Sequence, residues 1–572
     1  MPSSKKEPEF EDLLEEIGDF GKYQKRLLIV FLIPSALVLP WFSMNIIFMV
    51  FTPEHWCYVP EVVNSNLSHE VQRSIIVPRG NSSCFKYDVN YTELFTSGSL
   101  QIKNDTPIIS CRSWQYDTTY FEETAASKWN MVCDHSHYSS LVMTLTNVGS
   151  IIGTPFYGTL SDKIGRKPVF FIVILVTAIT AISSVLMTNF WTFLILRTIN
   201  GSLMPSVFQL PYIILLEIVG LSQRTKMNGI ANASWTIGLC FLAPIAYFTR
   251  HWVTFGLATS SVSILMFLYW KFLPESPRWL ISQERYKEAT RAISRIAETN
   301  GKTIEPVELR MKIQKLGEKV KKEKLESANN TFLDLFRFPN LRKKFLIISF
   351  CWVADIFAYY GLQINVSNLG GDPFFNFFFL ALVEIPGLIC SWYFMEKWGR
   401  RWCSVSALAL TGSACLLVAL VPGAPLLAVV CSLIGKFGAS ASFMAVYQQS
   451  SELYPTTIRA IGMGMSGTFA AVANIIVPYI VFLAFIEKYI PFLIIGLVCV
   501  LAAVSATFLP ETLNEVLPQT INDAEAFGKG QQFLSCSSKR RSSVISNEDE
   551  KSPHLLKDTS NDENSWRKIS LS

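Results

Sequence analysis

Five ionisable side chains stand inside stretches that are otherwise long and apolar: Arg197, Asp355, Glu384, Lys436 and Glu452. A charge in the middle of a membrane-crossing helix costs about 2.5–3.5 kcal/mol on insertion scales, so each needs a partner or a task. Asp355 stands in Cys351-Trp-Val-Ala-Asp355-Ile-Phe-Ala-Tyr359-Tyr360. Trp352 and Tyr359 lie three and four residues to either side of it, spacings that place all three on one helix face. A carboxylate between aromatic faces suits an organic ammonium ion, supplying one counter-charge and π surfaces for the rest of the cation. The bland alternative is a buried structural pair, with Lys436 as the partner. Arg197 and Glu452 read as lying nearer the cytoplasmic ends of their helices, paired internally to hold helices together.

The elements that carry these residues are set by composition. Half of the 572 residues are hydrophobic and only 17% are charged, against about 25% in ordinary soluble domains. The apolar residues come in blocks of about 20, the length that crosses the hydrocarbon core. We place helices near 27–50, 139–160, 169–188, 190–216, 227–248 and 254–272, then near 341–362, 374–395, 402–421, 427–450, 460–484 and 489–509. The expected class is an all-α polytopic membrane protein with twelve transmembrane helices. The expected organisation is a terminal segment 1–26, a six-helix bundle 27–272 with a large outer loop 51–138, a connecting loop 273–340, a second bundle 341–510, and a polar, disordered tail within 511–572.

Charge and cysteine placement give sidedness independently. Lys271–Lys344 holds 18 Lys and Arg, with further basic clusters at Lys163–Lys167, Arg224–Lys226 and Lys397–Arg401. Alternate connections such as Val421–Pro425 are nearly free of basic residues, and this asymmetry places both termini in the cytoplasm. The outer loop carries Cys57, Cys84, Cys111 and Cys133 and four N-x-S/T sites at Asn66, Asn81, Asn90 and Asn104. Disulfides and glycans both belong to an oxidising, extracellular face. Four cysteines allow three pairings, and sequence does not choose among them.

An internal repeat fixes the architecture. Gly158-Thr-Leu-Ser-Asp162-Lys-Ile-Gly165-Arg166-Lys167 has a counterpart in Glu396-Lys-Trp-Gly399-Arg400-Arg401. Glu217 precedes Arg224 by seven residues, as Glu452 precedes Arg459, and Leu273-Pro-Glu-Ser276 matches Leu509-Pro-Glu-Thr512. The offsets are 234, 235 and 236 residues (399−165, 452−217 and 510−274). Each half holds six spans, so the repeat is parallel and a ligand site is expected near the midplane between the halves.

With these motifs the chain resembles the major facilitator superfamily. Within it, Gly18-Asp-Phe-Gly-Lys-Tyr-Gln24, Pro274-Glu-Ser-Pro-Arg-Trp-Leu280, Asn368-Leu-Gly-Gly371, Val383-Glu-Ile-Pro386 and Glu452-Leu-Tyr-Pro-Thr456 resemble solute carrier family 22, the organic ion transporters, with a closing segment similar to invertebrate members. The resemblance implies a fold of two six-helix repeats and transport by alternating access. It implies that Asp355, Trp352 and Tyr359 match the cation-carrying branch, that Glu384 is a cavity carboxylate binding substrate or pairing with Lys436, and that Asn147 and Asn232 line the cavity. It places Ala471 where cation carriers have Asp and anion or carnitine carriers have Arg, so this chain has neither. It also implies a gate of salt bridges at the inner ends, made by Asp162, Arg166, Glu217, Arg224, Arg400, Glu452 and Arg459, that closes the inside and breaks as the carrier turns inward.

The expected function is therefore plasma-membrane transport of small organic cations or zwitterionic amines, carnitine-, carcinine- or β-alanine-like. The competing readings are a sodium-coupled carnitine or organic anion exchanger, and a receptor or scaffold with a transporter fold. No phosphate-binding glycine loop is present, which argues against ATP-driven transport. No basic cavity residue beyond Lys436 is evident in the sequence. Enzyme activity, metal, cofactor and nucleic acid are not expected; the expected partners are a small-molecule substrate and the lipid bilayer.

Overall fold

The computed structural model describes residues 10–65, 67–78, 83–96, 106–327, 332–529 and 531. Asn66, Asn81 and Asn104 lie outside the described residues, as does the tail after 531.

Among the described residues, twelve long helices form two bundles. The first bundle comprises α1 (Lys22–Met49), α2 (His137–Ile164), α3 (Arg166–Leu186), α4 (Phe190–Leu216), α5 (Leu221–Thr249) and α6 (Trp252–Lys271). The second comprises α7 (Pro339–Ile364), α8 (Pro373–Lys397), α9 (Arg400–Leu420), α10 (Pro425–Leu453), α11 (Arg459–Phe482) and α12 (Ile490–Ala506). Ten are long and apolar enough to cross a membrane. The other two are α2, which is rich in Ser and Thr, and the 17-residue α12.

Packing repeats as the sequence does. In the first bundle α2 packs on α4, α3 on α4 and α6, and α1 on α5; the partners six helices later pack alike, α8 on α10, α9 on α10 and α12, and α7 on α11. Small residues allow the closest approaches, as expected where helices gain no hydrophobic drive from lipid. At Gly149 of α2 and Gly201 of α4 an added Cβ would strike the backbone carbonyls of Thr198 and Thr146. The halves meet through α2 on α11 and α5 on α8.

The repeated Leu-Pro-Glu motif has a defined job. Glu275 accepts from the backbone N–H of Arg166 at 3.0 Å and of Lys167 at 3.3 Å, capping α3. Glu511 accepts from those of Arg400 at 2.8 Å and Arg401 at 3.1 Å, capping α9. A carboxylate at a helix N-terminus satisfies orphan donors and complements the dipole. The chain reaches each cap through a glycine with positive φ, Gly165 at 110° and Gly399 at 93°.

On the face carrying the N-terminus, the helix Phe10–Ile17 buries Phe10, Leu13, Leu14 and Ile17 in the same core as Ile293, Ile296, Leu309 and Ile313 from the connecting helices Tyr286–Thr299 and Pro306–Ser327. On the opposite face, the described residues between α1 and α2 hold two short strand pairs not foreseen in the sequence. His55–Cys57 pairs with Trp114–Tyr116, and Phe85–Tyr87 with Ile108–Ser110. The cysteines join as Cys57–Cys111 and Cys84–Cys133, with Cα separations of 5.2 and 5.7 Å. His55 lies beside Cys84 and Cys133, but those sulfurs are bonded to each other and leave no thiolate for a metal.

Candidate functional site

Two irregular helices shape the space between the bundles. In α8 the helix breaks at Val383, because Pro386 has no N–H to continue the ladder, and Glu384 opens the next helical stretch. In α1 a break at Met44 brings Asn45 to the start of the final turn. Between them lies a cavity of about 410 Å³, within the usual range for small-ligand sites.

Glu384 is the centre of a bonded cluster that spans both halves. Its Oε2 accepts from Thr236 Oγ1 of α5 at 3.0 Å and from the Tyr359 hydroxyl of α7 at 3.1 Å. Its Oε1 pairs with Lys436 Nζ of α10 at 3.0 Å. Trp235 Nε1 of α5 donates to the Tyr359 hydroxyl at 3.0 Å. Lys436 is fully buried, donates to the Tyr359 carbonyl at 3.1 Å, and holds its ammonium 3.3 Å from the Tyr359 ring centroid. A buried pair such as this is tolerated when further hydrogen bonds support it; here Glu384 Oε2 accepts from two hydroxyls and Lys436 donates to a backbone carbonyl.

The sequence-derived candidates separate clearly. Asn147, Asn232, Tyr359 and Glu384 line the cavity, while Lys436 sits behind the wall. Asn147 donates to the Asn474 carbonyl at 2.9 Å, and Asn474 Nδ2 returns a bond to Asn147 Oδ1 at 3.2 Å. Ala471 is not part of the wall; Asn474, almost one turn further along α11, is. Asp355 and Trp352 do not line the cavity either, which corrects the shared-face reading. Helix α7 is buried on nearly all sides, so face spacing alone does not say which face meets the cavity. Asp355 is buried in the second bundle, with Ser442, Cys351 and Cys499 around it. Trp352 donates to Ser450 Oγ and packs edge-on against Phe443 and Tyr447. Lys436 therefore pairs with Glu384, not Asp355.

Arg197 also departs from expectation. It lies two turns after Phe190, near the α4 end that faces the segment between α1 and α2, and it lines the cavity. Among the described residues no carboxylate pairs with it and Nε has no partner: Nη1 donates to Asn45 Oδ1 at 3.4 Å and Nη2 faces Met49 Sδ at 2.8 Å. Sequence reading missed Arg197, Trp235, Thr236 and Asn474 as cavity residues; only the intramembrane charge of Arg197 carried a signal.

The predicted gate residues cluster at the N-terminal face but pair within each half. Arg166 meets Asp162 at 3.0 Å and Glu217 at 3.5 Å, and Arg400 meets Glu452 at 3.1 Å. Arg224 turns to Glu11 of the N-terminal helix at 3.4 Å, and Arg459 donates to the Tyr454 carbonyl at 3.2 Å. The seven-residue step from Glu217 crosses the turn into α5, which points Arg224 away from it. Toward the opposite face the halves are bonded directly, by Ser140 to the Pro478 carbonyl and Thr144 to the Ile475 carbonyl, both at 3.2 Å. One hydrophobic core there spans both bundles, with Phe48 of α1 packed on Phe374 and Phe377 of α8 at ring distances of 5.8 and 4.8 Å.

The family described as sugar (and other) transporter matches residues 92–522. A carcinine transporter of Drosophila melanogaster is 34% identical over 94% of this chain and 82% of its own length. A beta-alanine transporter of the same organism is 32% identical over 91% of this chain and 89% of its own. Solute carrier family 22 member 1 of Bos taurus is 30% identical over 90% and 92%. Among solved structures, an inward open conformation of the xylose transporter XylE from E. coli aligns with a TM-score of 0.57 at 15% identity, covering 87% of this chain and 99% of that one.

Proposed function

We propose, from the premise that this chain belongs to solute carrier family 22 within the sugar (and other) transporter family of the major facilitator superfamily, that it carries small organic cations or zwitterionic amines across the plasma membrane by alternating access. The observation that carries the reading is Glu384, a cavity carboxylate ringed by the hydroxyls of Tyr359 and Thr236 and by Trp235. A substrate ammonium entering beside Glu384 competes with Lys436 and the two hydroxyls. Because Thr236 and Trp235 belong to one bundle and Tyr359 and Glu384 to the other, that competition loosens the bonds joining the halves. Binding then favours the rearrangement that re-exposes the cavity on the other side. Both termini lie in the cytoplasm, consistent with the basic connections on their face. On that assignment the structure is closed outside, and the pairs of Arg166 and Arg400 shape each bundle's inner end.

The decisive experiment is uptake of a labelled amine cation, a zwitterion and an anion in control and potassium-depolarised cells. The field contributes about 2.3 kcal/mol per charge per 100 mV, so roughly 60 mV gives about tenfold accumulation of a monovalent cation. Cation uptake should fall on depolarisation, and uptake of a net-neutral zwitterion should not. Anion uptake exceeding both would refute the proposal.

Sidedness has its own check. Asn90 is exposed in the outer segment, with its Oδ1 accepting from the Thr92 N–H at 3.2 Å. Glycosidase treatment of surface protein should raise its gel mobility. Unchanged mobility would place that segment on the other side.

A further inference from the structure

Resting on that transport reading, one charge in the cavity still lacks a role. Of the side chains that form the wall, two are formally charged, Glu384 and Arg197. Glu384 is neutralised by Lys436. Arg197 is neutralised by nothing among the described residues, although its side chain is 2% exposed. Its contacts are a long bond to the Asn45 amide oxygen, a thioether and the Phe193 ring at 5.6 Å, and its Nε is an orphan donor. A buried guanidinium without an anion is costly, and weak neutral acceptors do not offset that cost.

We propose that Arg197 receives the carboxylate of the substrate, so that the cavity prefers zwitterionic amines to plain cations. A plain cation would add a second positive charge to a wall already carrying one. A zwitterion sets its ammonium beside Glu384 and Tyr359 and its carboxylate against Arg197, answering each fixed group with its opposite. The planar fork of a guanidinium matches a carboxylate in two parallel hydrogen bonds, a geometry that an amide or ammonium does not reproduce. Arg197 belongs to the first bundle and Glu384 to the second, so a substrate held at both ends ties the halves together through itself. Asn45, released from its long bond, keeps its donation to Thr259 at 3.1 Å.

The test uses full-length protein in cells and two matched probe pairs, β-alanine with propylamine and carnitine with choline. Wild type should carry the carboxylate-bearing member of at least one pair better than its partner. In Arg197→Gln the zwitterion-to-cation uptake ratio should fall roughly ten- to hundredfold, since a hydrogen bond to a charged group is lost. The loss should appear chiefly in KM. Arg197→Lys keeps the charge but not the fork, and its ratio should fall in the same direction by less. If Arg197→Gln fails to reach the surface, the lysine variant decides: an unchanged ratio overturns the assignment. Equal loss of both probes at normal surface levels assigns Arg197 a structural role and also overturns it. Wild-type uptake of amines without any zwitterion preference overturns this assignment and leaves the transport reading standing. Uptake of neither class overturns both.

Discussion

Replacing Glu384 with glutamine should reduce amine uptake by roughly thirtyfold or more, the equivalent of at least about 2 kcal/mol of lost charge pairing. The amide still accepts from Thr236 and Tyr359, so the hydroxyl ring remains, but the counter-charge for the substrate is gone. A second effect acts on the fold. Lys436, fully buried and 3.0 Å from Glu384, would be left as an uncompensated charge, a loss of about 3–5 kcal/mol. The two effects separate in the double variant Glu384→Gln/Lys436→Met, which removes both charges and keeps the volume of the lysine stem. Surface expression of the double variant should recover while uptake stays low. Wild-type uptake in the double variant would show that substrate does not use Glu384. Asp355→Asn should reduce uptake less than Glu384→Gln, because Asp355 lies off the cavity wall.

A large effect on stability, independent of the cavity, is expected at the two capped turns. Gly165 has φ 110° and ψ 157°, and Gly399 has φ 93° and ψ 168°, a region open essentially to glycine alone at about 1–3 kcal/mol for other residues. An added Cβ would also run into the carboxylates of Glu275 and Glu511 that cap α3 and α9, and losing a cap costs about 0.5–2 kcal/mol. Gly165→Ala and Gly399→Ala should each destabilise the protein by about 3 kcal/mol, from strain and lost capping together. Gly158→Ala is the internal control: that helical position has nothing within 4 Å of an added Cβ, and alanine favours helix over glycine by about 1 kcal/mol. Thermal unfolding of detergent-purified protein should rank Gly158→Ala at or above wild type and the other two well below. Equal melting of all three would remove the turn from the account.

The architecture was legible because its signals are long and redundant. Twelve apolar blocks, an alternation of basic connections and three motif pairs repeating at 234–236 residues all point to one arrangement. The repeat even anticipated a device, since Glu275 and Glu511 perform the same capping task. The walls of the cavity were less legible, because a helix buried on every side has no apolar stripe from which to read its rotation. Asp355 and Tyr359, four residues apart on α7, illustrate this: Tyr359 reaches the cavity and Asp355 faces the bundle interior. Arg197 stands seven residues into α4, at its start and not at its far end, because this helix runs from the α1–α2 segment toward the face that carries the N-terminus. Partner choice was hidden too. The repeated seven-residue spacing marks Glu217 and Arg224 as gate residues without naming their partners; in space Glu217 faces Arg166 and Arg224 reaches Glu11.

The two disulfides interlock: Cys84 lies between Cys57 and Cys111, and Cys111 lies between Cys84 and Cys133. Synthesis proceeds from the N-terminus, so Cys57 and Cys84 are available to each other before either native partner exists. Oxidation in order of appearance would join them wrongly. Thiolate attack on that first bond must then release it before the native pair forms. The strand pair His55–Cys57 with Trp114–Tyr116 holds Cys57 close to Cys111, but only once residue 116 has been made. Maturation of this segment thus waits for its far end, and in overexpression the isomerase capacity of the host, rather than the rate of synthesis, should limit the yield of correctly bridged protein.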